Sequence, residues 1–162
     1  MSTAVEYRRA TADDLGAIGE VFLAAFADSV RHYAERSLGP QCMADAFGIC
    51  LDAEPEALFV AQVGEQVAGY IFAPCDVTRL AAAAIWRGHG LRMLVRWLAG
   101  GYGVGLGAAW GAMRNVRCLW REARSRHLRC NARVFSIAVA PGFRGLGIGT
   151  GLLRAGLEYL EG

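Results

Sequence analysis

The residues best suited to chemistry in this 162-residue chain stand together near its end: Arg144, Gly145, Leu146, Gly147, Ile148, Gly149 and Thr150. Glycine at 145, 147, 149 and 151 lets the backbone turn tightly and show several N–H groups with no Cβ atoms in the way. An apolar run, Val134, Phe135, Ile137 and Val139, precedes the glycines and stops at Pro141. Apolar residues resume afterwards at helical spacing, Leu153, Leu157 and Leu160. The pattern predicts strand, loop and helix over 134–160. The first-turn N–H groups of a helix lack intrahelical partners, and the positive end of its dipole lies there. A glycine loop that opens a helix is therefore an anion site, and Arg144 adds charge to it.

The spacing excludes two common phosphate loops. G-x-G-x-x-G is completed neither from Gly145, where Thr150 follows, nor from Gly147, where Leu152 follows. A Walker A loop requires lysine, and every basic residue here apart from histidine is arginine. What remains is R-x-x-G-x-G from Arg144 to Gly149, directly after Ile137-Ala138-Val139-Ala140-Pro141. This stretch resembles the GNAT superfamily of N-acetyltransferases, in which a strand ends in V-x-P, R/Q-x-x-G-x-G/A follows, and a helix begins.

The resemblance implies an α/β fold of α+β type: a mixed, mostly antiparallel sheet flanked by helices. It implies acetyl-CoA as cosubstrate, no metal, and acetyl transfer to a primary amine by direct attack, the acceptor being a small molecule or a protein. The pyrophosphate would lie on Gly145, Leu146, Gly147, Ile148, Gly149 and Thr150, with Arg144 beside it. The pantetheine arm would pair with the edge of the strand at Ile137, Ala138 and Val139. Family members often carry a carboxylate on this strand as base, whereas residues 132–137 contain none and Ser136 would at most orient a water. The catalytic residues are thus unassigned, and a noncatalytic CoA-binding or interaction module is the rival reading. The family also continues with a further strand and helix, so the resemblance implies one GNAT-like domain over 1–162 that is incomplete at its C-terminus. Tyr159 lies within the loop helix and does not take the role of the family's thiolate-protonating tyrosine.

Other elements must position this stretch. Residues 5–10 read as a first strand. Thr11 and Asp14 suit the start of a helix, and Leu15, Ile18, Phe22, Ala25 and Phe26 share a helical face. A second helical stretch runs over 31–50, broken near Gly39-Pro40. In the resembling family these helices border the acceptor, which makes Asp28, His32, Tyr33 and Glu35 candidates to meet it. Residues 57–63 and 67–73 flank Gly64-Glu65-Gln66 and predict a hairpin.

More than fifty residues then separate the hairpin from the signature strand, where the family has a few. Residues 76–130 read as a basic, tryptophan-rich, mainly helical insertion. Within 79–129 ten arginines face one acid, Glu122, a charge of +9, against −7 for the rest of the chain. Trp86, Trp97, Trp110 and Trp120 all fall there. Leu91, Leu94, Val95 and Leu98 form a helical stripe beside Arg92 and Arg96, and Arg114, Arg117, Arg121 and Arg124 share another face. Residues 97–113 are uncharged but short and glycine-rich for a bilayer span. The insertion fits an apolar lid or a homodimer surface, or a peripheral contact with an anionic membrane, which would make the chain a peripheral membrane protein. No reading motif accompanies the basic charge, which argues against nucleic acid. Five cysteines without a C-x-x-C pair, and no apolar run behind the N-terminal charges, point to the cytoplasm, with contact at the inner membrane surface as the variant. His32, His89 and His127 are too scattered for a local metal motif.

Overall fold

Strands β1 (Val5–Arg9), β2 (Leu58–Val63), β3 (Gln66–Phe72) and β4 (Ser136–Val139) lie side by side in chain order, and each neighbouring pair is antiparallel. The computed structural model describes residues 4–29, 39–102, 114, 117 and 133–162. Its helices are α1 (Leu15–Ala25), α2 (Pro40–Ala53), α3 (Thr78–Trp86), α4 (His89–Leu98) and α5 (Ile148–Glu161).

Period-two alternation gives the sheet two apolar faces. Leu58, Val60, Tyr70, Phe72 and Ala138 meet Ile18 and Val21 of α1 and Phe47 of α2 on one face. Phe47 stands edge-on to Tyr70 with ring centroids 4.9 Å apart. On the other face Ala61, Ala68, Ile71 and Ala73 meet Ile148 and Leu152 of α5. Helices on both sides of an antiparallel sheet make the α+β architecture that the sequence predicts.

The chain enters α1 through a short 3-10 turn, Ala12–Asp14. The Asp14 carboxylate accepts the Thr11 N–H at 2.8 Å and the Thr11 hydroxyl at 2.9 Å. It also accepts both guanidinium nitrogens of Arg8 at 2.7 Å, which ties β1 to the helix start. That paired hydrogen bond to Arg8 holds its carboxyl at about 2, against an opposing push from burial. Pro40 opens α2, where its missing N–H costs nothing. The β2–β3 hairpin turns at Gly64 and Glu65, with Gly64 at φ +63°.

The sequence names the apolar residues of α5 but not the face that the helix buries. The helix forms as predicted, but its buried stripe is Ile148, Leu152 and Gly156, while Leu153 and Leu157 are exposed at 40% and 44%. Leu160 packs against the core as a partly buried residue. The reason is close approach: a Cβ at Gly156 would lie 2.7 Å from Ile71 Cδ1, so the small face of the helix is the one that meets the sheet. Counting large apolar side chains picks the neighbouring face instead.

Candidate active site

β4 has β3 on one side and, among the described strands, no neighbour on the other. The Ala140 N–H bonds the Ala68 carbonyl at 2.8 Å, and in the same register Ala138 stands opposite Tyr70. An antiparallel ladder alternates, so Ala138 and Ala140 direct their backbone groups to β3 while Ile137 and Val139 direct theirs outward. The Arg144 Nε donates to the outward Val139 carbonyl at 3.4 Å.

Beyond β4 the chain makes a 3-10 turn, Pro141–Phe143, and then two left-handed glycines, Gly145 at φ +80° and Gly147 at φ +76°. Residues with a Cβ rarely adopt this conformation, so both glycines are required by the path of the loop. Gly147 is the N-cap of α5, and the first helical bond runs from the Gly151 N–H to the Gly147 carbonyl at 3.1 Å. The N–H groups of Ile148, Gly149 and Thr150 come before that bond and have no partner within the helix.

These groups open on a cleft of about 340 Å³ lined by Val139, Phe143, Arg144, Gly145, Gly147, Ile148, Gly149 and Thr150. The strand edge and the helix start therefore share one concavity. The Ile148 side chain is buried in the core, so its backbone is what it can offer to a ligand. Leu146 lies outside the lining and is exposed. Phe143, which the sequence reading passes over, supplies an apolar wall.

The family-level sequence comparison supplies what the geometry leaves open. The sequence model described as Acetyltransferase (GNAT) family matches residues 20–162. The chain belongs to the GNAT acetyltransferase family. Solved structures agree on the fold. PH1933 from Pyrococcus horikoshii OT3 is 15% identical with a TM-score of 0.53, covering 98% of this chain and 72% of that one. The protein SsHAT is 18% identical with a TM-score of 0.58, covering 98% and 77%. A candidate acetyltransferase from Pyrococcus horikoshii is 14% identical with a TM-score of 0.51; the match takes in 99% of this chain but spans 36% of that one. No curated protein sequence matches the chain significantly.

In this GNAT domain the acceptor-side candidates are only partly visible. Asp28 is exposed beyond the end of α1, and His32, Tyr33 and Glu35 lie outside the described residues. On β4 itself, Ser136 Oγ is 2.7 Å from the hydroxyl of the buried Tyr70. Burial pushes the Tyr70 phenol up to about 12, so it remains protonated at neutral pH. Tyr159 is occupied elsewhere: its hydroxyl donates to Glu54 Oε1 at 2.7 Å, and the same oxygen accepts the Cys75 N–H at 2.7 Å. This link staples α5 to Glu54 at the end of α2, 105 positions earlier, and through Glu54 to the exit of β3. Burial raises the Tyr159 phenol first, and the Glu54 hydrogen bond raises it further. Among the described residues no group of three or more His, Cys, Asp or Glu is arranged to hold a metal ion, and no helix is long and apolar enough to cross a membrane.

Proposed function

We propose that this GNAT domain binds acetyl-CoA along β4 and the start of α5, and transfers the acetyl group to a primary amine by direct attack. One observation carries the reading: the first-turn N–H groups of α5, which have no partner within the helix, and the outward backbone of Val139 border the same cleft. Ile148, Gly149 and Thr150 would donate to the pyrophosphate, with Arg144 supplying positive charge. Ile137 and Val139 would pair with the amides of the pantetheine arm as a neighbouring strand does. The Arg144 contact to Val139 is long and exposed, so it yields easily to such a ligand.

Acetyl-CoA supplies the activated acyl group. The chain's own contribution is to hold it and to direct an outward N–H of β4 at the thioester oxygen, where negative charge develops. Direct attack is favoured because β4 carries no cysteine and its one hydroxyl, Ser136, is engaged with Tyr70. Ser136, held by Tyr70, would at most orient a water beside the amine, and the base that takes the amine's proton is unassigned.

Calorimetric titration with acetyl-CoA, with ATP and NAD as controls, tests the binding half. Selective binding of acetyl-CoA is expected, and equal affinity for the three would remove the assignment of the cleft. Product formation with a panel of primary amines then separates an enzyme from a noncatalytic CoA-binding module.

A further inference from the structure

Helix α4 is amphipathic, and it lies with its apolar stripe turned away from the protein. Leu91, Leu94, Val95 and Leu98 recur at intervals of three, one and three, so they share an arc of about 100°. All four are exposed, Leu91 at 67% and Leu98 at 71%. Trp86, which closes α3 just before the turn at Gly88, is 86% exposed.

The opposite side of the same helix is anchored to α2 through Arg96 and His89. Arg96 donates to both carboxylate oxygens of Asp45 on α2 at 2.7 and 2.6 Å, and the Tyr102 hydroxyl donates to the same carboxylate. His89 is buried, with its Nε2 2.5 Å from Asp52, about two turns beyond Asp45 on the same face of α2. Arg87 adds a second contact to Asp52 at 3.5 Å. These anchors fix the rotation of α4, so the leucines cannot turn inward without breaking both carboxylate links.

An exposed aliphatic stripe of this kind requires a cover, and the charge of its surroundings identifies one. Among the described residues of the window 79–129, which are 79–102 with 114 and 117, six arginines stand with no acid. Arg92 flanks the stripe and is exposed, and Arg114 and Arg117, three apart in helical backbone, are exposed as well. A second copy of the chain docked here by a two-fold axis would set the arginines of α3 and α4 against their own kind, since neither helix carries an acid. A bilayer containing anionic lipid takes both components at once: leucines and tryptophan enter the headgroup and acyl boundary while guanidinium groups meet phosphates. We infer that the α3–α4 insertion seats the protein on an anionic membrane surface through Trp86, Leu91, Leu94, Val95 and Leu98. The inference does not depend on acetyl-CoA binding, so the two proposals fail separately.

The test is co-sedimentation of the 162-residue chain with vesicles of phosphatidylcholine alone or of phosphatidylcholine and phosphatidylglycerol in equal parts. Binding to the anionic vesicles should exceed binding to the neutral ones by about tenfold, and should weaken with added salt. The combined Leu91→Glu, Leu94→Glu and Leu98→Glu variant should lose that binding while its far-ultraviolet circular dichroism and melting temperature stay unchanged. A blue shift of tryptophan emission on binding, smaller in Trp86→Phe, would locate the contact. Absence from both pellets, equal binding to both vesicles, or full binding by the triple variant would each overturn the inference. So would a concentration-dependent dimer that the triple variant dissociates, because a second copy would then be the cover.

Discussion

The glycine loop and the α3–α4 insertion offer their ligand-facing chemistry in opposite ways. At the loop, side chains are removed at the turn: Gly145 and Gly147 take left-handed backbone, and main-chain groups border the cleft between the walls that Phe143 and Arg144 supply. At the insertion, side chains are displayed, with leucines outward and arginine and histidine folded back onto Asp45 and Asp52. A backbone site is specified by where glycine must stand, and its geometry follows from the turn. A side-chain surface is specified by which way a helix is rotated. That rotation is decided by residues on another element.

The largest expected effect tests the rotation of α5, the helix that carries the loop. Leu152 is fully buried and its neighbour Leu153 is 40% exposed. Leu152→Ala should cost about 3 kcal/mol through the lost contacts and the cavity left behind. Leu153→Ala should cost less than about 1 kcal/mol. Urea unfolding of the two variants measures both, and equal losses would mean that the helix face has been assigned wrongly.

Next comes the loop itself. Gly147→Glu places a Cβ at φ +76° and a carboxylate beside the first-turn N–H groups. Acetyl-CoA affinity should fall by about 100-fold or more, which corresponds to about 2.7 kcal/mol. The strained backbone alone should lower stability by about 1–2 kcal/mol. Calorimetry and a thermal melt separate the two effects, and an unchanged affinity would remove the loop from the binding site.

The third expectation contrasts the two arginine-bound carboxylates. Asp14 is buried, and its bidentate bond to Arg8 holds its carboxyl at about 2. Since the folded value lies below the unfolded one of about 3.9, the ionised pair stabilises the fold above about pH 4. That stability is lost as the pH falls from about 4 to about 2. Asp14→Asn should therefore cost about 2 kcal/mol at neutral pH and flatten the acid dependence across that window. At Asp45, burial works to raise the carboxyl, and the Tyr102, Arg96 and Gln41 hydrogen bonds outweigh it. Asp45→Asn should lower the melting temperature less than Asp14→Asn does, because its arginine partner is exposed.

These contrasts also explain what was legible in the sequence. The strand, turn and helix around Gly147 were readable because glycine spacing and Pro141 constrain the backbone locally. The Gly64 hairpin was readable for the same reason, and so was the break near Gly39-Pro40, where α2 begins. The stripes on α4 and α5 were visible as periodicity, but periodicity names a face without saying whether it points in or out. On α5 the decision rests on Gly156 fitting against Ile71, and on α4 on carboxylates presented by α2. The Glu54–Tyr159 staple joins residues 105 apart, and no local pattern marks it. The cleft lining was named nearly in full, because the residues that make it lie within one turn and one strand end; Phe143 was missed because an apolar residue in a loop carries no signal of its own.

The smallest expected effect is the most discriminating for the insertion. If the α4 stripe faces water in the isolated chain, Leu91→Ser and Leu98→Ser together should change stability by no more than about 0.5 kcal/mol, as surface substitutions do. A packed leucine pair would cost several times more, on the order of 2–5 kcal/mol per side chain removed. Unfolding in urea without vesicles reads this directly. A large loss would mean that the leucines are covered within the molecule, and the insertion would then resemble α5 rather than differ from it. A negligible loss, combined with a fall in affinity for anionic vesicles, would mean that the stripe's apolar surface is kept for an external phase.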